Sequence, residues 1–152
     1  MQPTETRSLS FILGAETFAI EIGRVREVVE WERLERVPRA PEFVLGVFNY
    51  HGRIIAVVDI AQFFGESSGI INGDTRIVIL AGEELSVGFK VDRTGRIETF
   101  DRHSMLAGAE QVPEKGFIKA VVNHEGRLYN IVDLDRLLEN IEDRFEKPVQ
   151  RS

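Results

Sequence analysis

The 152 residues carry no cysteine, 25 acidic against 19 basic side chains, and a formal net charge of −6. Those numbers exclude a disulfide framework and a thiolate metal centre. Lys and Arg are scattered along the chain, which leaves no basic face for a nucleic acid and no basic helix for a membrane surface.

Residues 1–8 read as a polar leader without the charged and apolar pattern of a signal sequence, so a cytoplasmic, soluble protein is expected. Leu9–Leu13 and Thr17–Ile22 flank Gly14-Ala15-Glu16 and predict a hairpin. Val25–Trp31 alternates as a third strand. Pro38 and Pro41 break that run, and Pro41 opens a short helical turn over Glu42–Leu45 ahead of Gly46. Val47–Tyr50 and Arg53–Val58 are β-branched and aromatic, a strand pair around the tight-turn sequence Asn49-Tyr50-His51-Gly52. Asp59 ends the second strand and can cap the helical pattern of Ile60, Phe63 and Phe64, which Gly65 stops. Residues 66–74, rich in Gly and Ser, form the best boundary. Arg76–Leu80 and Leu85–Val91 predict a hairpin around Ala81-Gly82-Glu83-Glu84. Gly95–Phe100 is the next strand, and residues 101–116 are a longer loop. A second strand pair leads into a helix with the apolar stripe Leu134, Leu137, Leu138, Ile141 and Phe145. Residues 146–152 are a polar tail, and both ends read as natural termini.

The chain also repeats itself. Phe43–Phe64 and Phe117–Leu138, 74 residues apart, agree at seven of 22 positions. The identities include Asn49/Asn123, Gly52/Gly126, Arg53/Arg127 and Asp59/Asp133, and backbone geometry sets the places of the hairpin glycine and of the Asp that ends a strand. Ile20–Arg24 echoes Phe89–Arg93, so the duplication extends through each half. Five strands precede the boundary and five follow it. Five short strands can curl into a small barrel that leaves no exposed edge. The expected fold is therefore all-β with short helices: two tandem five-stranded SH3-like β-barrel subdomains around a shared apolar seam, plus a C-terminal helix. Subdomain one is expected at 9–65 and subdomain two at 75–145.

Nothing in the chain reads as catalytic, cofactor-binding or metal-binding. The histidines are His51, His103 and His124, and no HExxH spacing, G-x-S-x-G elbow or phosphate-cradling GxxxxGK[ST] is present. The acidic pair Glu83-Glu84 lies in a turn, where solvation suits it better than acid–base work. A metal- or acid/base-dependent enzyme is the weaker reading.

Several segments, in order, resemble CheW-like domains. They are Phe18–Ile22, Val25–Val29, Val37–Phe43, Gly46–Asn49, and Gly52–Ile55 followed by Val57–Asp59. The resemblance runs from about Leu9 to Ile141. It implies two five-stranded barrels and a non-catalytic adaptor of bacterial chemosensory arrays. Such an adaptor bridges the regulatory domain of a CheA-type histidine kinase, itself CheW-like, to the cytoplasmic tip of a chemoreceptor. The resemblance places receptor contacts on Val25, Glu27, Gly46 and Gly52, in a groove supplied by the seam between the barrels. Asn49, Tyr50 and His51 join them as the hairpin tip, and the kinase-contacting residues stay unassigned. For Val25 core burial is an equal reading, for Glu27 a solvated strand face, and for both glycines a turn role. Tyr50 either packs back on the barrel or meets the partner, and Trp31 is either an interface aromatic or part of the barrel rim.

Two departures stand out. The family's hairpin usually reads Asn-Leu-Arg-Gly, so His51 replaces a permanent cation with a group mostly neutral at pH 7. Ala56 replaces a usual Pro, which is expected to loosen an edge strand. The alternative reading is thus an adaptor of a divergent, non-flagellar pathway with an altered receptor. A CheW-like fragment of a kinase is a third, for which the chain shows no ATP-binding pattern.

Overall fold

The computed structural model describes residues 5–82, 86–101 and 116–146. His103, the Glu83-Glu84 pair, Leu85, the loop at 102–115 and the tail from 147 lie outside them. Ten strands are present: β1 Glu5–Leu13, β2 Glu16–Glu21, β3 Val25–Glu30, β4 Val44–Tyr50, β5 Arg53–Asp59, β6 Arg76–Leu80, β7 Val87–Val91, β8 Arg93–Asp101, β9 Ile118–His124 and β10 Arg127–Val132. A 3₁₀ turn over Ile60–Phe64 follows β5, and helix α1, Leu134–Glu146, follows β10. The first strand begins at Glu5, inside the expected leader, and Ser8 is buried. No helical turn forms over Glu42–Leu45. A single bond from Val44 N–H to the Pro41 carbonyl (3.0 Å) closes a turn, and β4 starts at once.

The strands form two five-stranded sheets, ordered β8-β1-β2-β10-β9 and β3-β6-β7-β5-β4. This corrects the expected division. A cut at 66–74 does not separate the sheets, because each half gives a hairpin to one and three strands to the other. The chain changes sheets over Ile22–Arg24 and again at Asp92, where the Ile20–Arg24 and Phe89–Arg93 echo lies. The physical reason is occupancy. β2 is already flanked by β1 and β10, and β7 by β6 and β5, so the next strand finds no free edge beside its predecessor. The ladders also stay open, with β8 and β9 at the edges of one sheet and β3 and β4 at the edges of the other.

Alternating side chains of the middle strands serve two cores. Val78 and Leu80 of β6 join Phe11, Phe18, Ile20, Phe89 and Leu137 in a seam shared by both sheets and α1. Ile77 and Ile79 face Phe48, Ile55 and Val57 inside their own sheet. Phe100, Val122, Tyr129 and Ile131 fill the other. Burying each Phe or Leu in the seam contributes about 1.5–3 kcal/mol. Ala56 sits in β5 between β4 and β7, and its N–H donates to the Ser86 carbonyl at 2.8 Å. The strand is interior and the amide is used, so Ala56 loosens no edge. Residues 66–74 are tied down by Lys90, whose buried Nζ donates to the Gly69 carbonyl at 2.8 Å.

Candidate functional site

The two repeat copies build near-identical hairpin tips. In the first, His51 (φ 50°) and Gly52 (φ 84°) are the central pair; in the second they are Glu125 (φ 54°) and Gly126 (φ 86°). Positive φ at both central positions makes a two-residue turn that matches strand twist. Asn49 Oδ1 accepts the Gly52 N–H at 2.8 Å, and Asn123 Oδ1 accepts the Gly126 N–H at 3.2 Å. Asp59 and Asp133 cap the segments that follow, accepting from Ala61 N–H (3.3 Å) and Arg136 N–H (3.2 Å). Asn49 is thus a turn residue, and Gly52 is both a turn residue and open to solvent.

Each tip is joined by a carboxylate to the far edge of its sheet. The Tyr50 hydroxyl, at the end of β4, donates to Glu27 on β3. In the other sheet His124 Nε2, at the end of β9, lies 3.4 Å from Glu98 Oε1 on β8, and the Tyr129 hydroxyl donates to Glu98 Oε2 at 3.2 Å. Side chains therefore close what the ladders leave open. Tyr50 packs back on its barrel, and Trp31 lines the same core. His51 stays exposed with its ring 4.5 Å from that of Tyr50.

Glu27, Asn49, Tyr50, His51 and Gly52 thus come together at one tip. Val25 stands apart from them on β3, half-buried against the seam. Gly46 does not leave room for a partner's backbone. A Cβ there would lie 2.7 Å from the Glu35 carbonyl oxygen and 2.8 Å from the Leu34 Cβ, so the close approach is made by this chain itself. Sequence reading missed the Glu98–His124–Tyr129 clasp. Its signal is Glu98, 71 residues after Glu27 and so slightly out of step with the 74-residue repeat.

The Tyr50 phenol is held above its ordinary value of 10.0, first by its hydrogen bond to Glu27. That of Tyr129 is raised first by burial and then by the Glu98 charge. A raised value means the folded chain holds these protons more tightly than the unfolded one. Their contribution is present below the ordinary value and is lost as pH climbs through the raised one. Tyr129→Phe is accordingly expected to flatten the fall in stability as pH rises above the ordinary phenol value of 10.0, read by urea melts at each pH.

Among the described residues no three His, Asp or Glu side chains are grouped to hold a metal ion, and no helix is long and apolar enough to cross a membrane. Ile54 and Leu128, equivalent in the repeat, are 55% and 58% exposed beside the two tips. Two five-stranded sheets, a shared apolar seam and paired hairpin tips define a mostly β module with one C-terminal helix.

The family model of the CheW-like domain matches residues 7–142, and the chain belongs to the CheW-like family. It is 26% identical over 149 residues to the chemotaxis protein CheW of Bacillus subtilis, spanning 97% of this chain and 96% of that one. It is 30% identical over 139 residues to the chemotaxis protein CheW of Thermotoga maritima, spanning 90% of each. The crystal structure of the scaffolding protein TtCheW from Thermoanaerobacter tengcongensis matches with a TM-score of 0.76 at 25% identity. The match covers 84% of this chain and 88% of that one.

Proposed function

We propose that the chain is a non-catalytic cytoplasmic adaptor that couples chemoreceptor tips to a CheA-type histidine kinase in a chemosensory array. Family membership across residues 7–142 is the observation that carries this reading. The receptor surface takes in Val25, Glu27, Gly46, Asn49, Tyr50, His51 and Gly52. Within it Glu27 and His51 are the side chains that reach a partner, and Tyr50 packs back on the barrel and holds Glu27. Gly46, Asn49 and Gly52 act by holding the hairpin that presents them. The kinase's regulatory domain docks on an apolar knob, either Ile54 or Leu128. A large aliphatic side chain left more than half exposed at the same place in both copies is what a pseudo-symmetric pair of docking points would retain. Individually weak contacts suffice, because arrayed partners make the second contact effectively intramolecular.

Co-purification with CheA-type kinases and receptor signalling domains tests the adaptor role. No binder at micromolar concentration across such a panel would remove it. His51→Arg restores the cation usual in the family at an exposed position. Receptor affinity is expected to change severalfold while the melting temperature stays put. An unaltered receptor titration would take His51 out of the surface.

A further inference from the structure

A cleft of about 420 Å³ opens between β2, the 3₁₀ turn after β5, the start of β9 and Asn130 of β10. Its walls are aromatic. The Phe18 and Phe64 rings lie 4.7 Å apart between centroids, Phe63 and Phe117 5.8 Å, and Phe64 and Phe117 6.4 Å. Two carboxylates, Glu16 and Glu66, line the same cleft, and among the described residues neither is paired with a cation. The Glu66 carboxylate lies over Gly14, in the space a side chain there would take. Asn130 Nδ2 donates to the Thr17 carbonyl (3.0 Å) and to Glu16 Oε1 (3.4 Å), which leaves its Oδ1 to accept.

This aromatic cluster already takes one guanidinium. Arg144 from α1 lies 5.0 Å from the centre of the Phe63 ring and 5.7 Å from that of Phe43. Ring faces attract cations, and a planar guanidinium both stacks on them and donates to carboxylates in a fixed fork. The cleft offers the same chemistry: aromatic walls, two carboxylates and a carbonyl acceptor. An ammonium is more strongly hydrated and cannot stack, so it fits the site less well.

We propose that this cleft is a binding site for the side chain of an arginine presented by a partner protein. Glu16 and Glu66 hold the guanidinium, and it stacks on one ring face of the aromatic wall, Phe64 or Phe117, which stand at 85° to each other. Its test uses neither a receptor nor a kinase.

The probes are blocked glycine pentapeptides carrying a central arginine, lysine or leucine, titrated into the ¹⁵N-labelled chain and followed by NMR. The arginine peptide is expected to shift Glu16, Glu66 and Asn130 saturably at millimolar concentration, about tenfold more tightly than the lysine peptide. The Glu16→Gln/Glu66→Gln double variant changes two rim carboxylates outside the packed cores and is expected to keep its melting temperature while binding about tenfold more weakly. Equal binding of the leucine peptide would reduce the cleft to an apolar groove and overturn the proposal. So would shifts confined to other residues, or full binding by the double variant.

Discussion

A fragment ending at residue 65 is expected to be unfolded when expressed alone, and so is one starting at residue 75. Divided there, β1 and β2 lose both β8 and β10, and β3 loses β6, the strand it pairs with among the described residues. The seam is divided as well, since Phe11, Phe18 and Ile20 come from one half and Val78, Phe89 and Leu137 from the other. A two-stranded hairpin is at best marginal in water, and neither half keeps a core for its β1-β2 or β6-β7 hairpin. Mixed together, the halves are expected to recover the far-ultraviolet circular dichroism and a single cooperative melt, because the exchanged strands carry complementary faces. Two halves that each fold alone would contradict the interleaved topology. They would restore the simpler division at 66–74.

Local features of this fold are legible in the sequence, and the long-range ones are not. Asn49, Gly52 and Asp59 could be read because their work is done within three residues: an acceptor for a turn amide, a positive φ, a cap. The same holds for Asn123, Gly126 and Asp133. Strand positions also emerge directly, and β6 matches its expected bounds of Arg76–Leu80. Partner choice has no such local mark. Nothing in Leu9–Leu13 announces that its second neighbour is β8, more than 80 residues away. The repeat even pointed the wrong way, because an intact duplicated half is the simplest reading of a duplicated sequence.

The candidate site divides along the same line. Turn chemistry picked out the His51 tip, but the bond from Tyr50 to Glu27 joins opposite edges of a sheet and has no sequence signature. Gly46 was visible only as a glycine, not as the place where residues 34–35 lie against β4. Barrel closure by side chains follows from the same exchange of strands. Where backbone ladders end at β3 and β4, Glu27 and Tyr50 complete the ring. Glu98, His124 and Tyr129 do so for the other sheet. The His51 tip is therefore anchored, through Tyr50, to Glu27 on β3.

The second large effect is expected at Gly46. It has φ 151°, where L side chains are rarely found, and it lies at the β4–β5 irregularity between Val44 and Gly46. The Glu35–Val47 bridge, with N···O distances of 2.8 and 2.9 Å, presses the preceding loop onto this point. Gly46→Val would add both a strained backbone and a collision with the Glu35 carbonyl, for a combined cost of roughly 2–5 kcal/mol. In a chain of this length that corresponds to a fall of roughly 5–15 °C in melting temperature. Receptor binding should fall with it, because the loop that seats β4 can no longer close and the tip at His51 loses its support. Calorimetry and receptor titration on the same sample separate the two routes to lost binding. If binding disappeared while the melting temperature held, Gly46 would touch the receptor directly. Lost together, while His51→Arg changes affinity alone, the two effects make Gly46 the support and His51 the contact.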